Sequence, residues 1–245
     1  ERGKKYFKDI DPKNIIIIKN LISSQSTLSN IINAPFLFIQ SLWHYLSIRP
    51  HVSLGFGGFF TIPVLFSGLV LNKKVFIHEG NAFIGKANRF LVKFIGKILT
   101  TFRETQGLKR NHNIKLLRVG LPIRVSQNSI NKVKRRGEIT ICVLGGSQGA
   151  RGLSDDIAKS IIKCKGKLSS NLNIFHQCRF DDMKSVKNIY DNSNINCQVE
   201  SYFNDIINIL KNADLIISRA GSSTINEIIY YGVPSILIPF PYAAD

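Results

Sequence analysis

The sequence predicts an α/β protein made of two Rossmann-like units, each built on a parallel sheet. Three observations predict it. Apolar runs of strand length alternate with runs of helix length along most of the 245 residues. Two glycine-rich segments, Gly55-Phe56-Gly57-Gly58 and Gly145-Gly146-Ser147-Gln148-Gly149, each fall between a strand candidate and a helix candidate. A polar, basic stretch over residues 126–137 carries no period and separates the two series. Two such units joined by a linker are expected to face each other across a cleft, with ligands at the carboxyl ends of the strands.

The elements follow in chain order. Residues 1–34 are basic and polar around the apolar patch Ile15–Ile18, with Ser, Gln and Asn stretches. Pro35 then opens an apolar helix over 36–48, with proline in the first turn and Pro50 as its stop. A strand over 52–54, the first glycine loop and an apolar helix over 62–71 come next. Then come a strand over 74–78, a helix over 82–95 and short strands over 98–101 and 115–119. Beyond the linker the pattern reads strand 138–144, helix 150–164, strand 173–178, helix 181–190, strand 197–202 and helix 205–213. It closes with strand 215–218, helix 222–231 stopped by Gly232, and strand 234–239.

Composition narrows the function classes. With 44% apolar and 20% charged residues the chain can bury a real core, which excludes wholesale disorder. Lys and Arg outnumber Asp and Glu by 33 to 16, a formal net charge of +17. That charge suits nucleic acid, an anionic membrane surface or phosphorylated substrates. No recognition helix, zinc finger or aromatic RNA-binding pattern accompanies the lysines, so nucleic acid is not expected as a partner. Cys142, Cys164, Cys178 and Cys197 contain no C-x-x-C pair and read as buried thiols. The longest apolar run, 59–71, is broken by Thr61, Pro63, Ser67 and Gly68 and is too short to span a membrane. No signal peptide opens the sequence.

Several segments carry chemistry. Glycines at a strand-to-helix turn let the backbone approach an anion, and the helix end holds it. Neither glycine loop has the spacing of a dinucleotide fingerprint or a P-loop, and a tight turn is the plain alternative for each. The sharpest feature runs from Ser218 to Ile229. It leaves a strand through Ala220-Gly221 and enters a helix with Ser222, Ser223 and Thr224 in its first turn. Glu227 follows Thr224 on the same face, where its carboxylate suits both hydroxyls of a ribose; a capping box of Thr224 with Glu227 is the alternative. Arg124 sits before the linker, where a planar cation suits a diphosphate. His78-Glu79-Gly80-Asn81 ends a strand, with too few ligands nearby for a metal; Asn81 as a helix cap is its plain reading. The helix over 36–48 is apolar on most sides, and Lys4, Lys5, Lys8, Lys13 and Lys19 lie upstream, a composition that fits an interfacial anchor or a buried helix.

In order and spacing, six segments resemble the MurG family, UDP-N-acetylglucosamine (UDP-GlcNAc) transferases of peptidoglycan synthesis. They are Arg49–Gly58, His78–Asn81, Gly120–Arg124, Gly145–Arg151, Arg219–Glu227 and Pro239-Phe240. The resemblance implies a GT-B fold and transfer of N-acetylglucosamine from UDP-GlcNAc to the muramyl 4-hydroxyl of lipid I (undecaprenyl-pyrophosphoryl-MurNAc-pentapeptide), with inversion and with no metal or cofactor. It implies an acceptor and membrane-side domain over 1–125 and a UDP-sugar domain over 138–245. Asn81, Arg124, Ser147, Gln148, Phe203, Ser222, Ser223, Thr224, Ile225, Asn226 and Glu227 would then bind the donor. Gly57 and Gly58 would face the acceptor diphosphate. Phe36, Ile39, Leu42 and Trp43 would touch the cytoplasmic face of the bacterial inner membrane, an anionic surface on which the enzyme sits peripherally. Gly80 stands where the family has Gln, Ser222-Ser223 stand in place of an Ala-Leu-like pair, and Phe203 replaces Ile. The family's GGTGGH-like loop, with its candidate catalytic His, has no counterpart here, nor has its donor-gripping Gln pair. The expectation is a fragment lacking both ends, inactive as it stands. Another UDP-sugar enzyme of the same fold, or a non-catalytic remnant that binds membrane or donor, is the alternative.

Overall fold

The computed structural model describes residues 11, 14–16, 27–108, 115–123, 137–145, 153–167 and 171–239. They belong to two compact units, Glu1–Gly120 and Leu121–Asp245. The linker at 126–136, Arg124, Ser147, Gln148 and the upstream lysines lie outside the described residues.

The first unit runs α1 (Thr27–Ile48), β1 (Val52–Gly55), α2 (Thr61–Val70), β2 (Lys74–Glu79), α3 (Lys86–Leu91), β3 (Lys97–Thr100) and β4 (Lys115–Arg118). Its four strands are parallel in the order β1-β2-β3-β4. Val75 and Ile77 of β2 and Ile98 of β3 pack on Leu65 of α2 and on Ile84, Leu91, Val92 and Ile95 around α3. α1 lies on α2 through Leu37, Ser41 and Tyr45, one helical face spaced by four residues. Gly68 permits that approach, because a Cβ there would meet Tyr45 Oη at 2.6 Å and Val75 Cγ2 at 2.9 Å. The Tyr45 hydroxyl donates to Ser53 Oγ and anchors α1 to β1.

Two expectations are corrected in this unit. The helix expected over 36–48 starts at Thr27 and carries Pro35 inside it rather than in its first turn. Proline has a helical φ, so the helix continues through it at the loss of one backbone bond. The helix expected over 82–95 begins only at Lys86, with Gly85 as its extended N-cap, and ends in a 3-10 turn over Val92–Phe94. Residues 82–85 form a turn tied by Gln106 N to Ala82 O at 2.8 Å and Ile84 N to Gln106 O at 2.9 Å. Asn81 is therefore not a helix cap.

The second unit runs β5 (Glu138–Leu144), α4 (Leu153–Lys165), β6 (Asn171–Gln177), α5 (Met183–Asp191), β7 (Asn196–Glu200), α6 (Ile206–Asn212), β8 (Leu215–Arg219), α7 (Ser222–Tyr231) and β9 (Ser235–Ile238). All pairings are parallel, in the order β7-β6-β5-β8-β9. β5 is buried on both faces, as a central parallel strand must be. Ile141 and Val143 join the core under α4 and α5, while Cys142 and Leu144 join the core under α6 and α7. The chain reverses direction across the sheet at β5, the switch point at which doubly wound sheets bind ligands.

All four cysteines are free. Cys142 and Cys178 are buried and Cys197 is half-buried, but Cys164 is exposed at the end of α4, against the expectation for it. Burial pushes the Cys142 thiol up to about 12 and the Cys178 thiol up to about 11, so both are unreactive.

Candidate functional site

At the carboxyl end of the first sheet, β1 leads into Phe56-Gly57-Gly58 and β2 into Gly80-Asn81. Gly57 and Gly58 both take φ near +85°, a conformation that side chains resist. Phe56 is exposed and its ring leans over His78, centroids 5.2 Å apart. His78 is buried, and its Nε2 donates to the Gly120 carbonyl at 2.7 Å. That bond holds the segment after β4, from which the chain proceeds to Arg124. Glu79 is buried and accepts the Asn81 backbone N–H at 3.0 Å and its side-chain amide at 3.1 Å. Its other oxygen accepts from Gly85 N and from Asn88 Nδ2, both at 2.9 Å. Asn81 itself is exposed beside this buried carboxylate. Gly57, Gly58 and Asn81 thus share one edge of one sheet.

In the second unit, Gly145 ends β5 hard against β6. A Cβ there would meet the Gln177 carbonyl at 2.9 Å, so glycine is required. At β8 the strand leaves through Ala220 into α7, whose N-cap is Gly221 in extended conformation. The first helical bond runs from Ile225 N to Gly221 O at 2.9 Å. The amides of Ser223 and Thr224 therefore have no acceptor within the helix, at its positive end. The N-cap is Gly221 and Thr224 is the third helical residue, so the capping box of Thr224 with Glu227 fails. Asn226 spends its amide on the Ser222 carbonyl at 2.8 Å. Ile225 and Glu227 are half-buried in the same turn and the next. Gly232 closes α7 with φ 62°.

Phe203 follows β7, buried edge-on against Phe175 with centroids 6.0 Å apart. It lines an open groove of about 930 Å³ with Phe175, Glu200, Tyr202, Asn204 and Asp205, which the sequence reading did not identify. The signal was there: the α6 side of β6 and β7 carries Asn173 and Phe175, then Gln198 and Glu200, at period two. Among the described residues, no three His, Cys, Asp or Glu side chains group as metal ligands.

Comparison with known proteins agrees with both halves of this description. The glycosyltransferase family 28 N-terminal domain matches residues 7–100, and its C-terminal domain matches residues 140–245. A UDP-N-acetylglucosamine--N-acetylmuramyl-(pentapeptide) pyrophosphoryl-undecaprenol N-acetylglucosamine transferase of Rickettsia canadensis is 35% identical over 248 residues, 100% of this chain and 70% of that protein. This chain belongs to the MurG family. The Rickettsia bellii member is 37% identical over 240 residues, 96% of this chain but 64% of its own length, so the chain spans less than two thirds of that relative. A crystal structure of Acinetobacter baumannii MurG superposes with a TM-score of 0.70 over 98% of this chain and 68% of that one, at 23% identity. The likeness is one of fold: two parallel α/β domains of the GT-B kind. The MurG family motifs at Gly57-Gly58, His78–Asn81 and Arg219–Glu227 all fall at carboxyl ends of strands, within their own units.

Proposed function

We propose that this chain supplies donor- and acceptor-binding surfaces of the MurG reaction, the transfer of N-acetylglucosamine from UDP-GlcNAc to the muramyl 4-hydroxyl of lipid I, giving lipid II. The observation that carries the reading is the entry into α7, where the hydroxyl-bearing Ser223 and Thr224 occupy first-turn positions whose amides the helix does not use. Such an end suits a diphosphate: its amides donate to phosphate oxygens, and its dipole favours the charge that grows on the departing UDP. Glu227, one turn on, accepts the two ribose hydroxyls. Phe203 bounds the uracil side, Ser147, Gln148 and Arg124 serve the diphosphate, and Ile225 and Asn226 complete the donor site. The second unit is thereby the donor domain. The first unit is the acceptor domain, with Asn81 toward the donor sugar and Gly57-Gly58 toward the lipid I diphosphate. Displacement is in line, with inversion and without a metal, and no residue described here is assigned as the base.

The same reading puts the first unit on the cytoplasmic face of the bacterial inner membrane. No helix of the described residues is long and apolar enough to cross a membrane. Support for a peripheral contact comes from α1, on which Phe36, Ile39, Trp43 and Leu46 are more than half exposed opposite the face packed on α2, while Leu42 is half-buried.

Calorimetric titration of the full chain with UDP-GlcNAc tests the donor site. Hydrogen bonds to a charged acceptor contribute roughly 1.5–3 kcal/mol each, so Glu227→Ala is expected to weaken binding by about 10-fold or more. A folded wild type that takes up no UDP-GlcNAc would sink the reading.

A further inference from the structure

We propose that Glu79 and Asn88 are positioning residues that act as one buried clamp, setting the Asn81 turn and the Gly57-Gly58 loop against each other. The inference rests on the reading of that sheet edge as the substrate-facing edge of the first unit. Glu79 closes β2 and Asn88 lies in α3, and both are about 2% exposed. The Glu79 carboxylate is filled by four N–H donors: Asn81 N and Nδ2 on Oε1, and Gly85 N and Asn88 Nδ2 on Oε2. These bonds fix both ends of the 81–85 turn to one ion. A buried carboxylate holds only such donors without heavy loss of solvation, so its geometry is stiff.

Asn88 extends this constraint to the other loop. Its Nδ2 spends one N–H on Glu79 and the other on the His78 carbonyl at 3.2 Å. The amide plane is thereby fixed, and it faces Gly57. A Cβ at Gly57 would lie 3.4 Å from Asn88 Nδ2 and 3.8 Å from Oδ1. Asn88 Oδ1 is buried on this side with no hydrogen-bond partner among the described residues. A buried acceptor left open is costly and keeps its place when a ligand or a loop N–H uses it. Asn88, bonded to Glu79 and facing Gly57, offers a route from one to the other that removal of its amide would break.

That indirect route supplies the test. Backbone and side-chain amide spectra of the 15N-labelled full chain would be recorded for the wild type, Glu79→Gln, Asn88→Ala and the double variant. Glu79→Gln is nearly isosteric but points an amide donor at Gly85 N and Asn88 Nδ2. It is expected to move the Asn81 and Gly85 signals and, through Asn88, those of Gly57 and Gly58, while signals of β4, which does not pair with β2, stay in place. Exchange at Gly85 N should rise by about 10-fold. The double variant should move Gly57 no further than Asn88→Ala does alone, because residues acting as a unit are not additive. Should Asn88→Ala fail to fold, Asn88→Ser serves, since it is small and uncharged and its single hydroxyl proton cannot bridge Glu79 and the His78 carbonyl at once. Glu79→Gln spectra in which Gly57 and Gly58 stay at their wild-type positions overturn the clamp, whatever the ligand.

Titration with UDP-GlcNAc then separates the clamp from the reading it rests on. Wild-type signals at Asn81 and Gly57 should respond to the sugar nucleotide. In Glu79→Gln that response should be lost while the response at Ser222–Thr224 persists, a split that general unfolding would not give. Coupled loops in the free protein with no wild-type response to UDP-GlcNAc would keep the clamp and remove the substrate reading.

Discussion

His176 shows how much a single residue's environment decides. It sits on β6 in the core under α4 and α5, wholly buried, with Nδ1 3.0 Å from the Tyr190 hydroxyl. Burial pulls its pKa down to about 4, against a smaller upward pull from Asp155. The folded value lies below the ordinary 6.5, so between the two the unfolded chain binds a proton that the folded chain refuses. The stability is therefore complete above pH 6.5 and is lost as the pH falls toward 4, by up to about 3 kcal/mol. Urea unfolding of the second unit at pH 7, 6, 5 and 4 should show that loss, and His176→Gln should flatten it; an equal slope in the variant would assign the loss elsewhere. None of this was legible in the sequence, where His176 is one of five scattered histidines. The α7 entry was legible, because hydroxyls at a helix start and a glycine at its stop are local signals. Glu79 and Asn88 were not, since their partners are up to ten residues away across a turn whose shape the pattern misread as helix.

Among the elements, α1 has the largest gap between pattern and structure. Its apolar residues lie on most sides, and the sequence alone left a buried helix and an interfacial one open. Packing resolves them by face: Leu37, Ser41 and Tyr45 turn to α2, and Phe36, Ile39, Trp43 and Leu46 turn away from it. Pro35 misled as a start signal because its geometry suits a first turn and is tolerated further in. The exposed face makes a prediction that the chain's one tryptophan can report. Vesicles containing anionic phospholipid should shift Trp43 emission to the blue and carry the protein down on sedimentation. Neutral vesicles should do so less, because a formal charge of +17 adds attraction to the anionic surface alone. Ile39→Ser with Phe36→Ser should reduce partitioning by about 10-fold or more, since each large side chain contributes roughly 1.5–3 kcal/mol when buried in lipid. An unchanged partition would mean that this face does not meet the bilayer.

For the whole molecule, the alternation of strands and helices was enough to read two parallel sheets, because the period-two and period-3.6 signals survive any error in boundaries. What the alternation could not convey is where the cores end. The first unit is held by one cluster around Ile77 and Ile98, and the second by two clusters on opposite faces of β5. Among the described residues each of these clusters draws its members from one unit, and each core is expected to fail by itself. Ile98 and Ile174 are both fully buried, on β3 and β6 respectively, and truncation of either to alanine removes about 2–5 kcal/mol. Hydrogen exchange followed by mass spectrometry should find Ile98→Ala speeding exchange in β2 and β3 while β5 and β6 keep their wild-type rates. Ile174→Ala should do the reverse. Acceleration spreading through both units from either substitution would mean that the protein unfolds as one cooperative body, and that the two sheets, though separately cored, are stabilised together.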